Sequence, residues 1–424
     1  MLGVAGILCV SVCISAIAKE SVSPGALYNL VPRGLGSGAG LLTGGILLLL
    51  GVLIGPWLLL GLGMQVASFL HSVGTDLSPT GLYILEYGFL FALCAFALGK
   101  ITVSTMALLV IELTGMAIIV VLLAIVAAKH GMSGNADQVT LSGATAHGTL
   151  LGVTFIVLSF GSYESAASLS VEAKNPRRAV PAALYFSVLA VGIYLAYNAW
   201  AQVLGFSGSS ASLTETAAPL SFLADGAGIS WLGDIVLLFV AISFIGSIIG
   251  WLNYSPRIML TMSRDGLLPK YLQRTTPNTR SPIGGISAVG AVWFAGLTLI
   301  WITGTDITSA FANIGALLGY LFTLQYLLIA IAAPAFLWRR HELTAKVLGA
   351  SCGALAVMLL TFYYSFRPFP APPLRTYAII FFAFVAAMFA IWSILRVVAP
   401  SRLALIGTTP ADAAEVPDAG VSQG

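Results

Sequence analysis

One short segment of the chain combines a break in an apolar run with an ionisable side chain. The run reaches Phe160, is interrupted at Gly161-Ser162 and continues past the acidic Glu164. A helix broken inside a bilayer leaves backbone N–H and C=O groups that lipid does not satisfy, so such breaks occur beside a cavity or a ligand. The N–H groups that begin the second half-helix suit a carboxylate or another anionic group. We therefore expect a substrate site made by Ser159, Phe160, Gly161, Ser162, Tyr163 and Glu164.

A simpler interpretation of the same residues is a continuous helix. In that helix Gly161 and Ser162 would be small so that a neighbouring helix can pack closely. Glycine is common in membrane-spanning helices, and taken alone it favours this interpretation. The neighbouring Glu164 and the ordered polar string that follows it favour the break.

Two further side chains are candidates for function. Glu112 lies in the middle of the apolar run 101–122, where a carboxyl group is costly unless it is paired or protonated. It is a candidate for proton coupling, and the alternative is a neutral acid hydrogen-bonded to a neighbouring helix. Trp251 lies in a helix with closely spaced glycines, and it either lines the site or packs as an ordinary aromatic side chain. Glu86 lies nearer the end of its run and is expected to reach water.

The composition indicates what kind of protein must position these residues. Of 424 residues, 58% are hydrophobic and 8% are charged, against about 25% charged in ordinary soluble domains. The mean hydropathy is +0.97. Because a helix needs about 20 apolar residues to cross the hydrocarbon core, the apolar runs predict an all-α polytopic membrane protein with about eleven spans. These spans lie at residues 1–18, 39–70, 81–99, 101–128, 148–170, 180–205, 234–258, 282–303, 309–337, 344–365 and 375–398.

The placement of basic residues predicts the orientation of the spans. With Met1 outside and the chain threaded alternately, all but three of the 19 Lys and Arg residues fall on the inner face, as the positive-inside rule requires. We therefore expect the N-terminus outside, the C-terminus in the cytoplasm and a disordered polar tail from Ser401. The alternative is that residues 1–18 form a cleaved signal peptide, but no basic residue precedes this run.

The polar residues show no pattern typical of metal binding or covalent catalysis. The four cysteines lie inside apolar runs, and the four histidines are scattered without ligand spacing. The sequence has no GxxxxGK[ST] string for ATP, and nothing in it supports nucleic-acid binding. We therefore expect no metal, no cofactor, no nucleic-acid partner and no enzymatic activity.

Three strings of small and polar residues follow a specific order. The first runs from Gly161 as G-x-x-E-x(8)-A-K-N-P-R-R-A-V-P and ends at Pro181, which is expected to begin the next span. The second is R-D-G-L-L-P at residues 264–269, and the third is S-P-G-A-L-Y-N-L-V-P-R-G-L-G at residues 23–36. Together they resemble the sixth-helix signature, the eighth-helix signature and the link between the second and third helices of the amino acid–polyamine–organocation (APC) superfamily of transporters. The resemblance extends over about residues 1–400.

The resemblance implies a leucine-transporter-like fold, in which two sets of five helices form an inverted 5+5 repeat and two accessory helices follow. It places an incomplete first repeat at residues 1–128, the second repeat at 148–337, the accessory helices at 344–398 and a cytoplasmic tail at 401–424. Residues 1–18 then correspond to the superfamily's second helix. Its first helix, which carries the other half of the substrate site, has no counterpart in the sequence. We expect either a start codon assigned too late or a truncated product.

Some positions depart from particular members of the superfamily. The arginine/agmatine antiporters carry a string similar to the one around Trp251 and place that tryptophan beside the substrate. They have tryptophan where this chain has Leu158 and asparagine where it has Pro56, which argues against arginine or agmatine as the substrate. The superfamily's proton-carrying lysine in the fifth helix also has no counterpart before Lys129.

The resemblance implies secondary active transport of amino acids or related organic amines across the cytoplasmic membrane. We expect coupling to protons or to exchange, with a small-molecule substrate and the lipid bilayer as partners. The alternatives are a non-transporting permease fragment and a membrane sensor derived from a transporter.

Overall fold

A computed structural model describes most of the chain. It covers residues 1–19, 27–99, 105–130, 138, 144–166, 175–209, 211–213, 216, 218–276 and 281–407. Parts of two motifs, residues 23–26 and 167–174, lie outside the described residues, and so do residues 408–424 of the predicted tail.

The described chain is built from α-helices. Their bounds are Leu2–Ala18 (α1), Leu27–Leu35 (α2), Ser37–Ser72 (α3), Pro79–Leu98 (α4), Thr105–His130 (α5), Ala146–Ser159 (α6), Pro176–Phe206 (α7), Pro219–Gly226 (α8), Ser230–Arg264 (α9), Ile283–Ile302 (α10), Ile307–Arg339 (α11), Ala345–Ser365 (α12), Leu374–Val398 (α13) and Pro400–Ala404 (α14). A short 3₁₀ helix, Lys270–Gln273, lies between α9 and α10. The described residues include no β-strand.

Ten helical segments of the described chain are long and apolar enough to cross a membrane, which confirms the predicted all-α polytopic class. The remaining predicted span, residues 1–18, is the shorter apolar helix α1 of 17 residues. It lies inside the bundle, where it packs against α7, α11 and α12 and fully buries Val10 and Ile14. The division of the chain into an incomplete first repeat and a second repeat stays a prediction.

Helices α3 and α11 form the centre of the bundle, because more of their length is buried than in any other span. α3 lies along α9, and α11 contacts α1, α2, α3, α6 and α12. Glycine allows one of these close approaches. The ring of Trp293 on α10 lies against Gly55, and its indole Nε1 donates a 2.7 Å hydrogen bond to the carbonyl oxygen of Gly51. Small residues let helices approach in this way where lipid provides no hydrophobic driving force.

The helix after the break begins earlier than predicted. α7 starts at Pro176 and contains Pro181, which was expected to begin the span. Proline is favourable at the first helical position because the missing N–H has no intrahelical partner there. Pro181 lies in the second turn, where only the carbonyl of Arg177 loses its usual partner.

The chain remains part of the fold beyond Ser401. Residues 400–404 form α14, which contacts α3 and α13, and the side chains of Leu403 and Ile406 are buried. The expectation of disorder is therefore wrong for residues 401–407. The polar composition of the tail concealed two apolar side chains that find a complementary surface on the bundle.

Candidate functional site

The structure interrupts the helix at the predicted place. α6 ends at Ser159, residues 160–162 form a turn, and residues 163–166 form a single 3₁₀ turn. Ser162 has a φ of 76°, in the left-handed region that a non-glycine residue adopts only at some energetic cost. Such strained residues cluster at binding and active sites, so the break is the first candidate for a functional site.

The backbone of the break uses several of its donors locally. The N–H groups of Gly161, Tyr163 and Ser165 each donate to the carbonyl oxygen three residues earlier, at distances from 2.8 to 3.2 Å. These three groups are therefore not directed at a ligand. The sequence led us to expect bare N–H groups at this point, and the 3₁₀ turn changes which groups are available.

Gly161 also provides room for a neighbouring helix. A Cβ atom at this position would lie 2.6 Å from a ring carbon of Phe322 on α11 and 2.9 Å from the carbonyl oxygen of Leu158. Real Cβ atoms do not approach other atoms so closely, so any larger residue at position 161 displaces the turn or α11. The break and close packing are therefore properties of the same glycine.

Glu164 is fully buried and bonded to α11. Gln325 Nε2 donates to its Oε1 at 3.0 Å, and the Tyr326 hydroxyl lies 3.0 Å from its Oε2. The same hydroxyl lies 3.2 Å from the carbonyl oxygen of Phe160. Buried side-chain hydrogen bonds that converge on one group fix its position. The carboxyl group therefore joins the turn to α11.

A cavity of about 210 Å³, here called the break cavity, opens between the turn and α9. Its lining comprises Gly161, Ser162, Ser165, Ser247, Gly250, Trp251 and Tyr254. The Ser162 Oγ and the Tyr254 hydroxyl are buried and have no hydrogen-bond partner within the described structure. Because buried polar groups are normally satisfied, two such hydroxyls around one cavity indicate a site for a polar guest.

Trp251 closes one side of the break cavity. Its ring meets that of Tyr254 edge-on, with the centroids 5.4 Å apart, and 7% of the residue is exposed. The structure thus brings Gly161, Ser162 and Trp251 together, as the sequence led us to expect. Tyr254 was not predicted, although its position three residues after Trp251 places it on the same face of a helix.

Glu112 lies beside a second cavity, here called the acid cavity, of about 250 Å³ between α5, α7 and α9. The Ser243 hydroxyl on α9 donates a 3.0 Å hydrogen bond to Glu112 Oε1. Glu112 is exposed to this cavity rather than enclosed by side chains. Ser159 also lines the acid cavity. Ser243 lies one helical turn from Ser247 of the break cavity, so the two cavities are neighbours along α9.

The other predicted residues face the interior of the bundle. Phe160 is buried, with 3% of its surface exposed. The Tyr163 hydroxyl accepts a 3.2 Å hydrogen bond from Ser11 on α1, and its ring meets that of Tyr326 edge-on. Neither residue lines the break cavity, and Glu164 does not line it either. These three side chains instead hold the turn against α1 and α11.

A buried contact joins two motifs at the other end of α9. The Tyr28 hydroxyl on α2 donates a 2.6 Å hydrogen bond to Asp265 Oδ2 in the R-D-G string, and the backbone N–H of Gly407 donates to the same oxygen at 3.3 Å. Burial, together with this carboxylate, raises the pKa of Tyr28 well above its ordinary value. The two motifs and the C-terminal segment therefore meet at one acidic side chain.

The described residues contain no group of three or more His, Cys, Asp or Glu side chains that could hold a metal ion. Both cavities are lined instead by hydroxyl groups, aromatic rings and one carboxyl group. Such linings bind small polar molecules through a few directed hydrogen bonds.

Comparisons with known proteins all identify membrane transporters as the similar proteins. A model of the amino acid permease family matches residues 1–400. An uncharacterized transporter of Mycobacterium tuberculosis is 35% identical over 179 residues, which is 41% of this chain and 40% of that protein. Human cationic amino acid transporter 4 is 30% identical over 54% of the chain and 34% of its own length. The branched-chain amino acid permease BcaP of Lactococcus lactis is 29% identical over 39% and 36%. The matched stretches thus span at most 40% of these relatives.

Proposed function

This chain belongs to the amino acid permease family, and we propose that it carries α-amino acids or related amines across the cytoplasmic membrane by secondary active transport. The break cavity is the substrate site. The observation that carries this proposal is the pair of buried, unpartnered hydroxyls, Ser162 Oγ and Tyr254 OH, on opposite walls of that cavity. A ligand that accepts hydrogen bonds would satisfy both.

The lining suits the groups that all α-amino acids share. The hydroxyls of Ser162, Ser247 and Tyr254 can donate to a substrate carboxylate, and the face of Trp251 can contact an ammonium group or an apolar side chain. The cavity wall carries no charged side chain among its described residues, so recognition relies on hydroxyl and carbonyl dipoles. In related transport folds half-helix ends and unwound backbone groups bind the substrate, and in this proposal side-chain hydroxyls take part of that role.

The substrate class remains broad. The names of two relatives specify cationic and branched-chain amino acids, which share only the α-amino and α-carboxyl groups. Those are the groups that the break cavity fits. We propose that Trp251, together with other residues that contact the substrate, determines which amino acid side chain is preferred.

The geometry of the break supports a specific transport cycle. The turn at residues 160–162 bonds to α11 through Glu164 and faces α9 through the cavity. Movement of α9 relative to the turn and α11 would open the cavity to one side and close it to the other. Coupling is to protons or to exchange, and Glu112 beside the acid cavity is the candidate proton carrier next to the site. The proposed orientation keeps the N-terminus outside and the C-terminus in the cytoplasm.

Counterflow tests the proposal. The purified chain is reconstituted into liposomes preloaded with unlabelled arginine, lysine, leucine or isoleucine, and entry of the same radiolabelled amino acid is followed. We expect transient accumulation for at least one of these substrates, with empty liposomes as the control. Binding of an amino acid without any counterflow would instead favour the membrane sensor, and absence of both would favour a non-transporting fragment.

A further inference from the structure

Glu86 has a position in the fold that its sequence context did not reveal. It was expected to reach water, but the side chain is fully buried and neither carboxyl oxygen has a hydrogen-bond partner among the residues that the structure describes. The carboxyl group lies against α3, where a Cβ atom at Gly63 would be 2.5 Å from Glu86 Oε1. Buried acids in membrane spans are rare and are associated with ion or proton pathways.

The helices that pack against α4 offer Glu86 no counter-ion. α4 contacts α3, α9 and α10. Of the three helices, α3 carries one titratable or charged residue, His71, and α10 carries none. α9 carries Asp234, Tyr254, Arg257 and Arg264. The other titratable groups are Tyr83, Tyr87 and Cys94 on α4 itself and Asp306, which precedes α11. The two arginines lie near the opposite end of α9 from Asp234. An ionised carboxylate without a partner is strongly unfavourable in such surroundings, so this conformation holds the neutral acid.

A large cavity that can hold water lies close to this carboxyl group. A cavity of about 790 Å³, here called the acidic vestibule, lies between the ends of α3, α8 and α9. Its lining includes Ser68, His71, Asp76, Asp225 and Asp234, and His71 Nδ1 lies 2.7 Å from Asp76 Oδ1. The carboxylates lower the electrostatic potential there and raise the local concentration of cations, protons included.

The vestibule and Glu86 lie on one face of α3. Ala67 lines the vestibule, and Gly63 lies four residues earlier, one helical turn or about 5.4 Å along the axis. Glu86 therefore sits about one turn beneath the vestibule wall, covered by α3. A small displacement of α4 from α3 at Gly63 would expose the carboxyl group to water in the vestibule, and the return movement would enclose it again.

We propose that Glu86 is a proton-binding site that couples substrate movement to the proton gradient. A proton from water in the acidic vestibule adds to a carboxylate oxygen of Glu86. The neutral acid can then be enclosed against Gly63, and a later movement uncovers the group to water on the other side of the membrane, where the proton leaves. This inference rests on the proposed transport function, and it differs from a role for Glu112, which has a serine partner and an open cavity.

Assays in proteoliposomes distinguish the proposed transport function from proton coupling by Glu86. Glu86→Gln, Glu86→Asp and the unmodified chain are compared in three assays: counterflow without a pH gradient, accumulation driven by an inward pH gradient, and proton entry reported by a trapped pH-sensitive dye. The substrate is whichever amino acid supports counterflow. Glu342→Gln is the control, since that acid is exposed and pairs with Arg340. We expect Glu86→Gln to keep counterflow within about twofold and to lose at least tenfold of gradient-driven accumulation and of substrate-dependent proton entry.

Each other outcome has a definite meaning. Glu86→Asp keeps an ionisable group and is expected to restore coupling with a shifted pH profile. Undiminished accumulation in Glu86→Gln overturns the inference, and so does equal loss of counterflow and accumulation, which would indicate a structural role. An unmodified chain that exchanges substrate without moving protons overturns the inference and leaves the proposed function intact. Absence of counterflow in the unmodified chain overturns the proposed function itself.

Discussion

The Tyr326 hydroxyl lies 3.0 Å from Glu164 Oε2 and 3.2 Å from the carbonyl oxygen of Phe160. One side chain of α11 thus contacts both the acid and the backbone of the broken helix. A hydroxyl has a single proton to donate, so it serves both oxygens only if Glu164 is itself a donor. The state of the Glu164 proton therefore affects how firmly the turn is held against α11.

Tyr326→Phe removes this link while keeping the aromatic ring. Either the Glu164 or the Phe160 oxygen loses the one proton that Tyr326 donates, and an unsatisfied buried group costs about 1–3 kcal/mol. We expect a lower melting temperature in detergent and slower counterflow. Thermal unfolding and counterflow are measured on the same preparation, with Tyr363→Phe on the exposed face of α12 as the control. Unchanged behaviour of Tyr326→Phe would show that the link is dispensable.

Gly161→Leu is expected to abolish uptake and leave membrane insertion intact. The added side chain would collide with Phe322 and with the Leu158 carbonyl. Gly349→Leu is the matched control, because no described residue outside its own helix turn comes within 4 Å of a Cβ atom at that position. Surface expression and counterflow are measured for both variants. Normal uptake in Gly161→Leu would remove the break cavity from consideration as the substrate site.

Tyr254→Phe and Ser162→Ala each remove one unpartnered hydroxyl from the break cavity. If these groups bind substrate, each change costs about 1 kcal/mol of binding, and we expect the KM of uptake to rise by roughly fivefold. The melting temperature should not fall, because neither hydroxyl makes a hydrogen bond to any residue that the structure describes. A loss of stability with an unchanged KM would assign both hydroxyls to the fold.

Glu164→Gln is expected to abolish uptake while the protein still inserts into the membrane. The amide keeps the size of the side chain, but it replaces one acceptor with a donor facing the amide of Gln325 or the hydroxyl of Tyr326. Gln325→Glu in the same background reverses the pair and tests whether the contact alone matters. Recovery of uptake in the double variant would assign Glu164 a positioning role, and continued absence would assign it a role in the transport cycle.

Removal of residues 400–424 is expected to destabilise the protein, because Leu403 and Ile406 are buried against the bundle. Burial of two such side chains contributes roughly 3–6 kcal/mol at most. Removal of residues 408–424 alone keeps both contacts and the bond from Gly407 to Asp265. The two truncations are compared by thermal unfolding, and equal melting temperatures would contradict the structural role of α14.

Much of the fold follows from the sequence because hydropathy and charge are local properties. Apolar runs of sufficient length predict spanning helices, and all but the shortest of them, residues 1–18, meet the length of a span in the structure. The break at Gly161 was also predictable, since small residues beside an intramembrane acid are locally incompatible with an ordinary lipid-facing helix. Hydropathy and local composition gave wrong predictions for the start of α7, expected at Pro181, and for the end of the fold, expected at Ser401. Both boundaries depend on contacts with neighbouring elements.

Tertiary structure alone decided which way each side chain faces. In a membrane both the lipid-facing and the buried surfaces of a helix are apolar, so periodicity does not report its rotation. Glu86 and Glu112 both lie in apolar runs, yet one is enclosed against Gly63 and the other opens onto a cavity. The sequence by itself determined that this chain crosses a membrane many times and is broken near Ser162. The packing of α3, α9 and α11 determined which acids are buried and which hydroxyls meet around one cavity.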